Sequence, residues 1–178
     1  MTRRNILILD CTPLNEPREG QLLKRFFQIC RLYKPARATS LYYPIRSKTD
    51  LLKKLNTGKS YEIIHISAHG SKSGSRTPSI GNGSTWSVGP KDIEPTNHTA
   101  NLVFVNACSA NSRKMADAFR CEVFLAPSTE VRWDDAALFS LVFYKRKIVD
   151  GTSVRAAFNF ARKHTKTGKD YLDYWREG

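Results

Sequence analysis

The sequence predicts an α/β protein, a three-layer α/β/α sandwich built on a mainly parallel six-stranded sheet with a small hairpin insertion. Short apolar runs, typical of strands buried on both faces, alternate along the chain with segments whose apolar residues recur at helical spacing. Such alternation implies parallel strands joined by crossover helices, which cover both faces of the sheet. The length of 178 residues is that of one ordinary domain, and we interpret residues 1–178 as a single domain.

The first half of the chain begins with an apolar run that fits a buried strand. Ile6 to Leu9 are all apolar, and the apolar residues that follow recur three and four positions apart until Pro35 ends the pattern. Ser47 has the residue type of a helix N-cap, and Gly58 that of a helix end. The predicted elements are a strand at 4–10, a helix at 16–33, a strand at 38–43, a helix from Ser47 to Gly58 and a strand at 61–68.

A predicted hairpin interrupts this alternation in the middle of the chain. Asn82-Gly83 is a preferred pair for a two-residue hairpin turn, and it follows a loop predicted at 71–75. The alternation then resumes and includes one helix whose all-round apolar character predicts burial on every side. The elements predicted after the hairpin are a strand at 101–107, a helix at 111–119, a strand at 121–126, a helix at 133–147, a helix from Thr152 and a strand at 171–175.

The composition predicts a folded cytoplasmic protein. Hydrophobic residues make up 40% of the chain and charged residues 25%, which is close to globular averages. No apolar stretch reaches the roughly 18 residues of a membrane span, so we expect neither a membrane segment nor a signal peptide. The four cysteines show neither CxxC spacing nor the density of a disulfide scaffold, which indicates free thiols in a reducing compartment.

The formal net charge of +13 is large for this length and raises the question of a nucleic-acid partner. The basic residues, however, are scattered over predicted helix surfaces and are not interleaved with aromatic residues in one tract. We therefore favour a solvated basic surface over a nucleic-acid site. A polyanionic or acidic partner stays open as the alternative.

A histidine and a cysteine follow two of the predicted parallel strands. His69 comes directly after the strand at 61–68, and Cys108 directly after the strand at 101–107. Active sites of open α/β sheets lie at the carboxyl ends of the strands, so we expect these side chains to meet. A Cys-His pair suits acyl transfer, because the thiolate is a strong nucleophile and the imidazole accepts its proton. Either residue alone is more often structural, and the joint placement is what favours catalysis.

Gly70 strengthens the catalytic interpretation. A glycine directly after the histidine lets the backbone approach a substrate carbonyl closely. The N–H groups of Gly70 and Cys108 are therefore predicted to stabilise the oxyanion of a tetrahedral intermediate. The predicted reaction is peptide-bond hydrolysis through a thioester acyl-enzyme, and it needs no cofactor.

Three segments resemble the caspase-like cysteine peptidases, and among them the CHAT-type domains related to caspases and separases. The family's histidine-glycine and alanine-cysteine motifs correspond to HISAHG at 65–70 and VNACSA at 105–110, and FLAPSTEVRWDDA at 124–136 resembles its fifth strand and following turn. The chain departs from many CHAT-type domains at Ala68, where they have glycine, and at Ser109, where they have glutamate. The dyad itself is intact, so these departures concern subfamily and specificity.

The resemblance implies a caspase-like fold and a cysteine endopeptidase that acts on a protein substrate and has an activating or regulatory protein partner. In relatives, the end of the first strand and the position two before the cysteine line the substrate pocket, which implies substrate-binding roles for Asp10 and Asn106. An acidic Asp10 would favour a basic residue before the scissile bond, whereas the alternative is that Asp10 caps the following turn. The resemblance also implies a bacterial cell-death or phage-defence pathway.

Other interpretations stay open beside this one. A catalytically inactive caspase-like module would bind a protein or polyanionic partner, and a flavodoxin-like domain would need a phosphate-binding glycine-rich loop, which does not follow the first strand. His65 lies four residues before His69, but on a strand this is not a zinc motif, so we predict no metal and expect His65 to pack or hydrogen-bond beneath the site. For Asp134 and Asp135, an N-cap role is favoured over paired acids.

Overall fold

The computed structural model describes residues 5–33, 39–71 and 78–176, and strands alternate with helices along most of this length. The predicted end of the first helix at Pro35 lies outside the described residues, as do residues 72–75 of the loop predicted at 71–75, whereas Ser71 is the last residue of a strand. The elements in chain order are β1 (Asn5–Asp10), α1 (Glu19–Tyr33), β2 (Thr39–Pro44), α2 (Lys48–Leu55), β3 (Ser60–Ser67), β4 (His69–Ser71), β5 (Ser79–Gly81), β6 (Ser87–Val88), α3 (Pro90–Ile93), β7 (Thr99–Asn106), α4 (Arg113–Phe119), β8 (Val123–Pro127), α5 (Trp133–Tyr144), α6 (Val154–His164) and β9 (Tyr171–Trp175).

The central sheet has six strands in the order β2-β1-β3-β7-β8-β9. Its first five strands are parallel, and β9 pairs antiparallel with β8 at one edge. A second, antiparallel sheet of order β4-β5-β6 contains the hairpin predicted at Asn82-Gly83. The predicted fold class, a three-layer α/β sandwich on a mainly parallel six-stranded sheet, is therefore confirmed.

Helices cover both faces of the sheet, which explains why its central strands are apolar along their whole length. On β1, Leu7 and Leu9 join the core beneath α2 and α4, whereas Ile6 and Ile8 join the core beneath α1, α5 and α6. All four side chains are buried, and each such burial contributes about 1.5–3 kcal/mol. Within the described ranges, no helix is long and apolar enough to cross a membrane.

The fifth helix differs from its prediction in three ways. It ends at Tyr144, and the chain continues as a π-helical turn over Lys145–Val149. Burial on every side is wrong, because Leu138 is 48% exposed. The N-cap prediction for Asp134 and Asp135 is also wrong, because Arg132 is the N-cap and both aspartates lie in the first turn. Their negative charges there interact favourably with the positive end of the helix dipole.

Candidate active site

The carboxyl ends of β3 and β7 lie side by side at one edge of the sheet. Ser67 pairs with Asn106, and the Ala68 N–H donates to the Asn106 carbonyl oxygen at 3.2 Å. His69 and Cys108 each follow two residues after this matched pair. Because the strands are parallel and in register, they bring the histidine and the cysteine to the same end of the sheet.

Gly70 packs directly against the backbone of Cys108. A Cβ atom at position 70 would lie 1.8 Å from the Cys108 carbonyl oxygen and 2.9 Å from the Cys108 nitrogen. Neither distance leaves room for a side chain, so the close approach of two backbones requires glycine here. The segment that carries His69 thus lies against Cys108.

Access distinguishes Cys108 from the other three cysteines. Cys108 is partly exposed, and its Sγ accepts from the Val131 N–H at 3.4 Å and donates to the Val131 carbonyl oxygen at 3.5 Å. Cys11, Cys30 and Cys121 are buried. Burial raises the pKa of Cys11 well above its ordinary value, that of Cys121 to about 11, and also that of Cys30. Buried thiols that resist ionisation are poor nucleophiles, which leaves Cys108 as the candidate.

Three groups hold the imidazole ring of His69. Its Nε2 lies 2.6 Å from Oε2 of Glu16, and the ring meets that of Trp133 edge to face with centroids 5.2 Å apart. A Cβ atom on Gly83 would lie 2.8 Å from two ring carbons of His69, so the hairpin backbone covers the ring. Because a carboxylate only accepts hydrogen bonds, the Nε2 atom donates and Nδ1 is the nitrogen that can accept a proton.

Glu16 is a site residue that the sequence did not indicate. It lies in the loop between β1 and α1, 53 positions before its partner His69. The sequence predicted residue 16 as the beginning of the first helix, but α1 begins at Glu19. Residue 16 therefore belongs to a loop that reaches the end of β3. A local sequence pattern cannot indicate a contact between residues 53 positions apart.

A cavity of about 380 Å³ opens beside His69 and Gly70. Most of its lining residues are glycines and serines of the small sheet and its hairpin loop, and Trp86 also lines it. This volume is within the range of small-molecule pockets, about 300–1,000 Å³, and small side chains leave backbone groups accessible. The cavity therefore has room for a peptide segment next to His69.

Asp10 lies at the end of β1, fully buried, with partners inside the chain. Its Oδ2 lies 3.2 Å from Nε of Arg18 and accepts a hydrogen bond from the Tyr42 hydroxyl at 3.0 Å. Burial, and then the Asp10 charge, raise the pKa of Tyr42 to about 12. Oδ1 accepts from the Thr12 N–H at 3.2 Å, which is the turn-capping contact. Arg18 thus supplies a cation to Asp10 within the chain, and the preference of Asp10 for a basic substrate residue stays a prediction.

Asn106 is also buried, and its side-chain amide is occupied within the chain. Its Nδ2 donates to Oε1 of Glu19 at 2.7 Å and to the Ser140 hydroxyl at 3.1 Å, and its Oδ1 accepts from the Tyr171 hydroxyl at 2.6 Å. These contacts connect α1, β7, α5 and β9 directly beneath Cys108. A direct substrate contact of Asn106, like that of Asp10, stays a prediction.

His65 lies in the same buried network, as the sequence predicted. Its Nδ1 lies 2.9 Å from the Tyr144 hydroxyl, and its Nε2 lies 3.3 Å from Oε2 of Glu19 and 3.1 Å from the Ser67 hydroxyl. Burial alone would raise the pKa of Glu19, but the charge of His65 and hydrogen bonds outweigh it and lower that pKa. Among the residues that the structure describes, no group of three or more His, Cys, Asp or Glu could hold a metal ion.

Solved structures show the same fold, although the chain matches no protein-family model and no curated protein sequence. The separase chain of the Saccharomyces cerevisiae separase-securin complex aligns with a TM-score of 0.61 and 16% identity over 98% of this chain. The Arg-specific cysteine proteinase gingipain R aligns with a TM-score of 0.60 and 14% identity over 96% of this chain. The chain covers 12% of the first protein and 45% of the second. Its fold is therefore that of the caspase-like cysteine peptidases.

Proposed function

We propose that the chain is a cysteine endopeptidase in which Cys108 is the nucleophile and His69 its proton acceptor. The observation that carries this proposal is the contact of Gly70 with the Cys108 backbone, which holds the His69 segment against the accessible cysteine. The fold shared with separase and gingipain R, both cysteine peptidases, supports the same reaction class.

The proposed reaction begins when Nδ1 of His69 takes the Sγ proton of Cys108 and the thiolate attacks the substrate carbonyl carbon. The N–H groups of Gly70 and Cys108 stabilise the resulting oxyanion, and the loss of one such donor typically costs about 10²–10³ in rate. As the C–N bond breaks, His69 returns the proton to the leaving amine and a thioester forms. Water, deprotonated by His69, then hydrolyses the thioester and frees the thiol.

Glu16 acts in this mechanism through His69. A carboxylate on Nε2 fixes which nitrogen carries the proton and stabilises the imidazolium that forms when Cys108 ionises. Trp133 packs against the ring of the same histidine and limits its rotation. Both are positioning residues, because neither touches the reacting atoms in the proposed mechanism.

The finer assignment to the CHAT-type branch, and to a cytoplasmic cell-death or phage-defence pathway, belongs to the proposal and depends on the motifs at 65–70 and 105–110. A protein regulator fits the same picture, since the separase match is a complex with securin. Asp10 and Asn106 contribute to substrate binding in this proposal through their partners: Asp10 orients Arg18, and Asn106 supports the strand end below Cys108.

An electrophilic peptide probe tests the proposed nucleophile. We expect one covalent adduct, located on Cys108 by mass spectrometry of the digested protein, and proteolysis that Cys108→Ala abolishes without unfolding the chain. Cys30→Ala, which changes a buried cysteine on the apolar face of α1, is the matched control and should retain activity at a modest cost in stability. Cleavage by well-folded Cys108→Ala protein would refute the assignment.

The second candidate is a catalytically inactive caspase-like module that binds an acidic protein or another polyanion. The net charge of +13 favours such a partner. An absence of any Cys108 adduct, together with salt-sensitive binding of a polyanion such as heparin, would support this function over the peptidase.

A further inference from the structure

Helix α1 exposes an apolar surface to solvent in addition to the side that it buries against the sheet. Among the described residues, eight large apolar side chains are exposed, and half of them lie on this one helix: Leu22, Ile29, Leu32 and Tyr33. The buried side of the same helix carries Leu23, Phe27 and Cys30. Exposed apolar side chains that are grouped in this way mark an interaction surface, so α1 has a second partner besides the sheet.

The exposed surface has the spacing of a coiled-coil seam. Leu22, Phe26, Ile29 and Tyr33 are four, three and four positions apart, which is the a and d spacing of a heptad repeat, and they form what is termed the α1 seam below. Phe26 is partly buried, so the seam is continuous with the core beneath α1. At a rise of about 1.5 Å per residue, the seam is about 16 Å long, or roughly three helical turns.

The width of the α1 seam specifies the shape of the group that covers it. Successive helix positions are about 100° apart around the axis, so the four side chains lie within a stripe about 60° wide. A helix that lies in a lipid surface presents a broad apolar face, whereas a strict a and d stripe is the narrow seam that a second helix fills. The shape of the seam therefore fits a helix.

The charges beside the seam specify the sign of that helix. Glu19 is the one acidic residue of α1, a helix that the structure describes completely, and its side chain is buried. Arg25 and Arg31 are exposed, and Lys24 lies over the Tyr42 ring, 5.2 Å from its centroid. None of these three cations pairs with a carboxylate of the described residues. Their charge is therefore free to attract acidic side chains of a partner.

A cavity of about 340 Å³ adjoins the seam near the beginning of α1. Leu22 of the seam lines it, together with the cations Arg18, Lys24 and Arg25, and none of its described lining residues is acidic. Arg18 is already ion-paired with Asp10, which leaves the two α1 cations without a counter-charge. Carboxylates on a helix that covers the seam would meet these cations, and charge-assisted hydrogen bonds of this kind are strong.

A second copy of this chain fits the surface poorly. The formal net charge is +13, so two copies repel each other. In a symmetric dimer the same patch faces itself, which would place Arg25 and Arg31 of one copy against the cations of the other. The charge favours a partner of opposite sign.

We propose that the α1 seam binds an acidic amphipathic helix of another protein. This helix has apolar residues at heptad spacing, which pack against the seam, and Asp or Glu residues beside them, which pair with Lys24, Arg25 and Arg31. The interaction is independent of the peptidase function proposed above, because it uses a surface that contains no residue of the Cys-His dyad.

A synthetic peptide of three heptads tests the proposal without any need for catalysis. It has Leu at the a and d positions and Glu at the e and g positions, and its control has Lys in place of Glu. Fluorescence anisotropy measures the binding of each labelled peptide to the intact protein. We expect the Glu peptide to bind and the Lys peptide to bind at least about tenfold more weakly. Equal binding of the two peptides, or no binding of the Glu peptide, would refute the proposal.

Two leucine variants locate the apolar part of the surface. Leu22→Ser should weaken binding of the Glu peptide several-fold, and Leu41→Ser is the matched control. Leu22 is 43% exposed and Leu41 45%, but Leu41 pairs with Leu7, whose side chain joins the core on the opposite face of the sheet. Leu41→Ser should therefore leave binding unchanged. Equal affinities of the two variants would show that the peptide does not bind at the seam.

Two charge reversals separate a defined site from general attraction to a basic protein. Arg25→Glu should weaken binding of the Glu peptide at least about tenfold. Lys163→Glu changes the net charge by the same amount on the exposed surface of α6, and should have a much smaller effect. If both variants weaken binding equally, the peptide responds only to the net charge and the proposed site is wrong.

The same leucine variant tests the other two occupants of such a surface. Sedimentation velocity measures self-association, and flotation measures binding to vesicles of phosphatidylcholine and phosphatidylserine. We expect Leu22→Ser to change neither property. A dimer that Leu22→Ser dissociates would assign the seam to a second copy, and vesicle binding that Leu22→Ser abolishes would assign it to a lipid surface, so either result would overturn the proposal.

Discussion

Replacing Gly70 by alanine tests the backbone contact on which the proposed active site depends. The new Cβ would lie 1.8 Å from the Cys108 carbonyl oxygen, although real Cβ atoms essentially never approach closer than 3.0 Å, so the two strand ends must separate by more than 1 Å. A displacement of about 1 Å in an active site can cost about 10² in rate. We therefore expect the peptide probe to label Cys108 about 100-fold more slowly, and the fold to lose about 1–3 kcal/mol from overpacking.

Gly89→Ala is the matched control, because the nearest atom to its new Cβ would be the Pro78 carbonyl oxygen at 4.0 Å, an ordinary contact. This variant should label at the wild-type rate. Labelling is measured by intact mass against time, and near-ultraviolet circular dichroism confirms that each variant is folded. If folded Gly70→Ala protein reacts as fast as the wild type, the His69 and Cys108 segments do not meet as the structure shows.

Changes at four residues test the dyad and its surroundings. His69→Ala should lower turnover about 10²–10⁴-fold while iodoacetamide still alkylates Cys108, and full peptidase activity would contradict the dyad. Glu16→Ala should lower kcat about tenfold or more, and Glu16→Gln should lower it less. Equal kcat values in the wild type and both variants would show that Glu16 has no role in the mechanism. The pKa of Glu19 is lowered below 4.5 in the folded state, so its contribution to stability is complete above pH 4.5 and is lost as the pH falls. The free energy of unfolding measured in urea should accordingly fall less steeply with decreasing pH for Glu19→Gln than for the wild type. Asp10→Asn should lower the melting temperature, because Arg18 and the Tyr42 hydroxyl lose a charged partner, and selective loss of cleavage after Lys or Arg would support a direct substrate contact of Asp10.

The parts of the fold that depend on local pattern could be predicted from the sequence. The apolar residues Ile6 to Leu9 indicate a strand buried on both faces, and Ser47 caps α2 as its residue type suggests. The Asn82-Gly83 pair indicates the hairpin in the same way. Each of these signals arises from neighbours in the chain, which is why a single sequence contains them.

The partners of the site residues could not be predicted, because they depend on contacts between distant segments. Glu16 reaches His69 over 53 positions, and Asn106 contacts Glu19 over 87. Arg18, the cation that pairs with Asp10, is only eight positions away. It lies in a loop, however, and the hydrophobic periodicity that predicts helices and strands does not predict the path of a loop. Motifs thus indicated which residues could react, whereas the groups that hold them in place became visible only with the fold.

The hydrogen bond from Tyr171 to Asn106 also sets an order of events during synthesis of the chain. Tyr171 is made 65 residues after Asn106, and protein chains fold from their N-terminal parts as they leave the ribosome. A nascent chain therefore already contains His69 and Cys108 while β8 is still an open edge and the amide oxygen of Asn106 lacks its phenol donor. The support beneath the cysteine is completed only when the last strand arrives, which delays the finished site until most of the domain has been translated.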